Sequence, residues 1–570
     1  MKNILNFSNV NCKHCYKCIR HCPVKAIKME KDKAYIVEDL CIGCGGCFKV
    51  CPQDSKKIKS DLGQVKEYIK LGYKVVASLA PSFIADLEGI DYKKFITALK
   101  EIGFYKVEET IVGAKIVADM YKKYISNNKQ KIYISSCCPT INYFITKYHG
   151  GISKYLIPVQ SPMIAHGKYL KEKYGQDIKV VFIGPCISKK YEALDFENRG
   201  IIDKVLTFEE CFNLIKELEI DINFLSESDF DNKPLGDICL FPIEEGIELD
   251  LDNINKIKVS GLDNVKDLIE SINNNELENV FIEMNSCSGS CIGGIGFKNK
   301  KGIYYRQNKV KEYTKKRVLH ETFLDEVREI YRNIDLNKKF EEEKLKFKDP
   351  QEYEIRDILI SMGKKTVKDE LNCGACGYDT CREKAIAVYR GLAEPHMCMP
   401  YMKDRVEALS NVIFEVTPNY IVIIGENFKI IDINNSMARV INKERKELIG
   451  EYIGDYIDIS DFIDILCNKT SILSKKIKWK EFNKDIIGNM IYLKEHRAII
   501  GIYSDITNEE NQKKKFREVK INTINTAQNI IEKQMRVAQE IASLLGETTA
   551  ETKVILTRLK ELAMKGDEED

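Results

Sequence analysis

The chain has 570 residues, of which 88 are Lys or Arg and 86 Asp or Glu; 44% are hydrophobic and 20 are cysteine. That length predicts three to five domains, and the near-neutral balance gives no global field for nucleic acid or an anionic membrane. No apolar run approaches a membrane span and the N-terminus has no signal-peptide pattern, so the expected compartment is a reducing cytoplasm with metal-bound cysteines.

The first element is a doubled cysteine run: Cys12, Cys15, Cys18 and Cys22-Pro23, then Cys41, Cys44, Cys47 and Cys51-Pro52. This spacing resembles the bacterial ferredoxin signature for two [4Fe–4S] clusters, in which the fourth cysteine of each run closes the other cluster. Cys12, Cys15, Cys18 and Cys51 are then expected to hold one cluster, and Cys41, Cys44, Cys47 and Cys22 the second, within a domain over 1–61. Zinc and disulfides fit the spacing far worse.

From 62 to 347, short β runs alternate with helical segments, the pattern of a parallel α/β domain. Strands are expected at 131–135 (KIYIS), 180–183 (VVFI) and 279–284 (NVFIEM). They run into Cys137-Cys138-Pro139, into Gly184-Pro185-Cys186 with Lys189 and Glu192, and into Cys287 and Cys291 with Gly293-Gly294. Carboxyl ends of parallel strands are where open sheets build ligand sites, so four cysteines are expected to converge there on one buried cofactor. Lone Cys211 and Cys239 read as packing thiols.

These three motifs resemble the active-site signatures of the [FeFe]-hydrogenase family, over roughly residues 1–345. The resemblance implies that Cys138, Cys186, Cys287 and Cys291 hold the [4Fe–4S] part of an H-cluster. Cys291 would also bridge to a two-iron unit carrying CO, cyanide and an amine dithiolate. It further implies a proton relay through Cys137 and the Ser161 hydroxyl, with Lys189 hydrogen-bonding a cyanide beside Glu192. The chain departs from the family at Gly184 and Asn285, which replace methionines, and at Ile141, which replaces tryptophan. Lost methionines are expected to loosen and rewet the two-iron pocket. The helix at about 111–124 offers Lys115, Ile116 and Asp119 where two proton-wire glutamates are expected, so the outer proton wire reads as damaged.

Next come Cys373, Cys376, Cys381 and Cys398, a compact module expected over 348–404. It resembles the small [4Fe–4S] domain of corrinoid iron–sulfur proteins and redox regulators, with zinc as the competitor. His396 reads as an exposed loop histidine. Residues 405–508 resemble a PAS domain, through 421–441, 446–457 and the closing strand 498–507. Neither Cys467 nor His496 sits in a ligand motif, so the PAS ligand stays unknown.

Residues 509–570 read as a charged helix. Ile521, Ile524, Gln528, Ile531, Met535, Ala538, Ala542 and Leu545 form a heptad seam suited to a parallel dimer or to packing on the PAS domain. An interruption follows at 546–549, then an apolar stripe of Ile555, Leu559 and Leu562. No kinase, phosphatase or DNA-binding motif follows.

The expected fold is therefore multidomain α/β and α+β: a ferredoxin-like module, an H-cluster domain, a small Fe–S module, a PAS domain and a C-terminal helix. The expected function is a slow, sensory [FeFe]-hydrogenase in an anaerobic setting. It would react with H2 and protons, exchange electrons with ferredoxin or another redox protein, dimerise through its tail and signal to a downstream partner. The alternatives are a ferredoxin-dependent catalytic hydrogenase and a non-catalytic Fe–S redox regulator without a two-iron site.

Overall fold

The computed structural model describes residues 4–7, 12–30, 33–244, 246–247, 249, 254–343, 345, 347–545 and 550–565. The expected interruption at 546–549 lies outside them, as do the side chains of Ala542, Leu545 and Leu562. The chain divides into two compact units, Met1–Met402 and Lys403–Asp570.

In the first unit, the N-terminal segment is stitched by two small antiparallel pairings. Leu5–Phe7 lies against Lys56–Ile58, and Ile27–Glu30 against Lys33–Ile36. Each cysteine run feeds a four-residue helix, Lys17–Arg20 or Gly46–Lys49. The turn before Gly46–Lys49 needs glycine, because Gly43 and Gly45 both have positive φ.

The α/β region holds its strands in two parallel sheets. One has four strands in the order Lys106–Glu109, Val75–Leu79, Lys179–Gly184, Lys204–Thr207. The other has three, in the order Asn255–Ser260, Val280–Asn285, Ile132–Ile134. Val75–Leu79 is buried at every position, the run expected of a strand covered on both faces. The three strands expected to carry the motifs are present within a residue or two, and they are shared between the sheets. The first and third motifs leave the three-stranded sheet and the second leaves the four-stranded one. Cys211 and Cys239 are buried in the main apolar core, as packing thiols should be.

The second unit carries a five-stranded antiparallel sheet in the order Ile430–Ile433, Tyr420–Gly425, Ala498–Asp505, Lys484–Leu493, Ile472–Trp479. Helices Asn435–Ile441, Arg445–Leu448 and Ser460–Asn468 fill the chain between its second and third strands, the PAS-like arrangement. The core joins Val422, Ile424, Met437, Phe462, Trp479 and Tyr503. Cys467 and His496 are exposed, away from that core. Helix Thr507–Leu545 follows directly. Along it Ile524, Gln528, Ile531 and Met535 are half-buried while Ile521 is exposed.

Trp479 is the only tryptophan in the sequence. Its fluorescence therefore reports on the second unit by itself. Phe462→Ala, which empties a fully buried ring position, is expected to destabilise this unit by about 3–5 kcal/mol. A lower denaturant midpoint for Trp479 fluorescence checks this.

Candidate functional site

The eight N-terminal cysteines separate into the two expected sets. Cys12, Cys15, Cys18 and Cys51 line one cleft with Lys13, Lys17 and Lys56. Cys22 instead lies within electrostatic reach of Cys41, Cys44 and Cys47. Burial pushes the Cys44 thiol far up and the Cys47 thiol to about 12. Backbone N–H groups of Ala26, Gly43 and Gly46 donate to the sulfurs of Cys22, Cys41 and Cys44 at 3.2, 3.4 and 3.5 Å. Dehydrated thiols ringed by amide donors suit thiolates neutralised by iron, and such amide bonds tune cluster potentials.

The inner set abuts the α/β region. A Cβ placed at Gly43 would sit 3.0 Å from the Ser188 hydroxyl, and one at Gly45 2.9 Å from Ile187. Both contacts fall on the Cys186 motif. Cys44 is also within electrostatic reach of Cys287.

The four cysteines expected at strand ends do converge. Cys291 is in electrostatic reach of Cys138, Cys186 and Cys287, and Cys186 of Cys138 and Cys287. Burial pushes Cys186 and Cys287 up to about 12 and holds Cys291 well above its ordinary value. Cys138 occupies the N-cap position of the Pro139–Tyr148 helix. The chemistry of this donor set fits an iron–sulfur cluster. Glycine lets the second and third motifs meet: the Gly296 amide donates to the Pro185 carbonyl at 2.9 Å, and a Cβ at Gly294 would lie 2.6 Å from that oxygen. Gly294→Ala is therefore expected to separate Cys186 from Cys291. The purified protein should lose about one cluster's worth of iron by colorimetric assay while its far-ultraviolet circular dichroism stays unchanged.

Cys137 faces a different environment from its neighbour. Its sulfur lies 3.2 Å from the Tyr121 hydroxyl, which also approaches the Ser136 hydroxyl at 2.9 Å. Burial pushes its thiol up to about 12, and the Glu283 carboxylate also acts upward. Lys189 lies half-buried between the Cys137 carbonyl, 3.3 Å from Nζ, and Glu192, 2.7 Å away. One Glu192 carboxylate oxygen is left without a hydrogen bond. Ser161 caps the Pro162–Tyr174 helix by position only, its buried hydroxyl having no hydrogen-bond partner among the described residues.

Tyr121 and Glu283 were missed by sequence reasoning. Tyr121 lies on the helix searched for glutamates, Ile111–Asn127, but a search for acids passes over a phenol. On the same helix Lys115 and Asp119 are paired with each other at 2.6 Å.

The expected loosening of the pocket is not met at Gly184. The Phe182 ring occupies that side-chain space, 2.6 Å from where a Cβ would stand. Asn285 does turn its position polar, donating to Glu283 at 3.2 Å and to Ser290 at 3.4 Å. Ile141 is fully buried core.

Cys373, Cys376, Cys381 and Cys398 line one cleft together with Lys384. His396 is not a free loop histidine: it lies in the short helix Pro395–Met397, 3.1 Å from the Glu394 carboxylate.

Comparison with known proteins agrees with these parts. Residues 73–248 and 242–295 match the family described as iron only hydrogenase large subunit, C-terminal domain. Residues 11–55 match a 4Fe-4S dicluster domain and 369–400 a putative Fe-S cluster family. The chain is 28% identical over 284 residues to iron hydrogenase 1 of Clostridium pasteurianum, covering 39% of this chain and 50% of the relative. It is also 28% identical over 160 residues to the cytosolic Fe-S cluster assembly factor NAR1 of Vanderwaltozyma polyspora, covering 28% of each chain. An apo [FeFe]-hydrogenase HydA1 structure from Chlamydomonas reinhardtii aligns with a TM-score of 0.43 at 17% identity, covering 50% of this chain and all of that one. The alignment thus spans half the length of the clostridial relative. Among the described residues no helix is long and apolar enough to cross a membrane.

Proposed function

We propose that this [FeFe]-hydrogenase-like iron–sulfur protein is a hydrogen sensor, reacting slowly with H2 and reporting the resulting redox state through its PAS-like unit to a partner. The carrying observation is the convergence of Cys138, Cys186, Cys287 and Cys291 beside a half-buried Cys137 and Lys189, next to the inner ferredoxin-like cysteines. When bound, the two-iron unit with CO, cyanide and amine dithiolate supplies an open metal position and a base for the reaction H2 = 2 H+ + 2 e−.

The chain's own residues supply the rest. Cys137 stands as proton relay, with the Tyr121 hydroxyl as its neighbour. Lys189 would hold an anionic ligand of that unit by a charge-assisted bond, and Glu192 keeps its ammonium in place. Tyr121 and the Lys115–Asp119 pair leave a poor acid–base wire outward, which favours slow turnover over flux. A PAS-like sheet running into a 39-residue helix has a use in signalling and none in bulk hydrogen metabolism. The half-buried stripe on that helix supports a second copy of this chain as its partner.

A regulator without a two-iron unit is the competing reading, supported by likeness to an assembly factor as well as to hydrogenases. Infrared spectra of anaerobically matured protein separate the two. Metal-bound CO and cyanide bands that shift under H2, with turnover far below a metabolic hydrogenase, are expected. High ferredoxin-coupled turnover would make it a catalyst. No bands, when a control hydrogenase matures normally, would make it an iron–sulfur relay.

A further inference from the structure

The 369–400 module docks on the N-terminal cysteine domain at one place. Arg20 donates from Nε to the Gly374 carbonyl at 3.3 Å and from Nη2 to the Ala375 carbonyl at 3.1 Å. Lys25 donates to the Gly377 carbonyl at 2.9 Å and faces Asp379 at 3.7 Å. The Met29 amide donates to the Leu392 carbonyl at 3.1 Å. Gly377 has a φ of +94°, and a Cβ there would lie 2.9 Å from Ile19, so the approach is as close as a backbone without a side chain allows. Arg20 and Lys25 bracket Cys22, the cysteine that leaves its own run to join the inner set. Tyr378 is buried in the shared apolar cluster and lies within electrostatic reach of both Cys376 and Cys22.

Besides the outer set, which it reaches from Cys47 to Cys18, the inner set meets two neighbours through different residues. Gly43 and Gly45 face the segment that follows Cys186, Cys44 lies within electrostatic reach of Cys287, and Cys22 lies within reach of Tyr378, which also reaches Cys376. The outer set of Cys12, Cys15, Cys18 and Cys51 lines a cleft in which Cys15 is exposed. The last ligand of the module leads straight into a helix: the Cys398 carbonyl accepts from the Met402 amide at 2.9 Å, at the start of Met399–Val416.

We infer that the electron route forks at Cys22: the 373–398 site is loaded directly from the inner cysteine set, and the outer set is a separate port to redox partners. This rests on the sensor reading for its source of electrons. H2 yields two protons and two electrons; the protons leave on the Cys137 side, and each electron reaching the 373–398 site adds one reducing equivalent there without breaking a ligand bond. The added negative charge falls beside Lys384 and at the N-terminal end of the helix entering the second unit. In a series arrangement the outer set would instead lie between.

The test uses the full, matured chain and the variant Cys12→Ala/Cys15→Ala, which removes the outer site. Under H2, electron paramagnetic resonance should show the 373–398 signal reduced to the same extent in variant and wild type. Its loss in the variant while wild type retains it would overturn the fork. Dithionite-reduced protein provides an arm independent of H2: the 373–398 signal should show fast relaxation from a neighbouring spin in both proteins. Arg20→Ala/Lys25→Ala should slow that relaxation with cluster iron unchanged. A magnetically isolated 373–398 signal would overturn the fork. If wild type ignores H2 yet the dithionite signal is fast-relaxing, the sensor reading fails and the fork stands.

Discussion

Replacing Cys137 with alanine is expected to abolish hydrogen chemistry while leaving the iron content unchanged. Cys137 is adjacent in sequence to a proposed cluster ligand, and its sulfur lies 3.2 Å from the Tyr121 hydroxyl. A positioned acid–base group contributes roughly 10²- to 10⁴-fold, so H2 evolution or uptake by gas chromatography should fall by about that factor. Tyr121→Phe removes the hydroxyl neighbour but keeps the thiol, and a smaller loss is expected. An active Cys137→Ala protein would place the proton step elsewhere. A protein with no two-iron unit would show no H2 chemistry to lose, and its Fe–S signals would be identical with and without Cys137.

Arg317→Met is expected to be the most destabilising single change in the first unit. Glu109 ends the Lys106–Glu109 strand fully buried, with Arg317 Nη2 at 2.9 Å and the Tyr313 hydroxyl at 3.3 Å. The guanidinium also packs over the rings of Phe230 and Tyr313. Removing one partner of a buried ion pair leaves an uncompensated charge, at a penalty of about 3–5 kcal/mol. Burial already pushes Glu109 up to about 7 with its partner present, and loss of Arg317 pushes it further in the same direction.

The sign follows from linkage. The unfolded carboxyl ionises near 4.5, so above that pH unfolding releases a proton that the folded variant retains. Wild-type Glu109 also retains that proton up to about pH 7, so the deficit relative to wild type is small below that pH and grows as pH rises above it toward the variant's higher value. Apparent Tm by circular dichroism should show a gap between variant and wild type that widens from neutral to alkaline pH. Adding Glu109→Gln should recover much of it, since a neutral amide needs no counter-charge. A gap independent of pH would mean that Arg317 acts through its packing alone.

Legibility differed by residue. The cysteine runs could be read because a cluster demands fixed ligand spacing along the chain, and Cys22 joins Cys41, Cys44 and Cys47 as that spacing requires. The strands before Cys137, Cys186 and Cys287 were readable because buried parallel strands are short apolar runs. Their division between two sheets was not, because such runs look alike whichever neighbour they pair with. Gly184 shows a second limit: a missing methionine predicts space, and Phe182 two residues earlier on the same strand face fills it. Ser161 shows a third, since its place in the motif is as expected while its hydroxyl meets no partner.

What the sequence by itself determined is the inventory: four cysteine groupings, a parallel α/β region, a PAS-like unit and a long polar helix. Those follow from ligand spacing and from hydrophobic period, which are local properties of the chain. Only the tertiary structure decided which groups face one another: Tyr121 beside Cys137, and Gly377 pressed on Ile19 at the join beside Cys22. Such contacts join residues far apart in the chain, and side-chain volume and backbone approach select them only once the sheets and helices have packed.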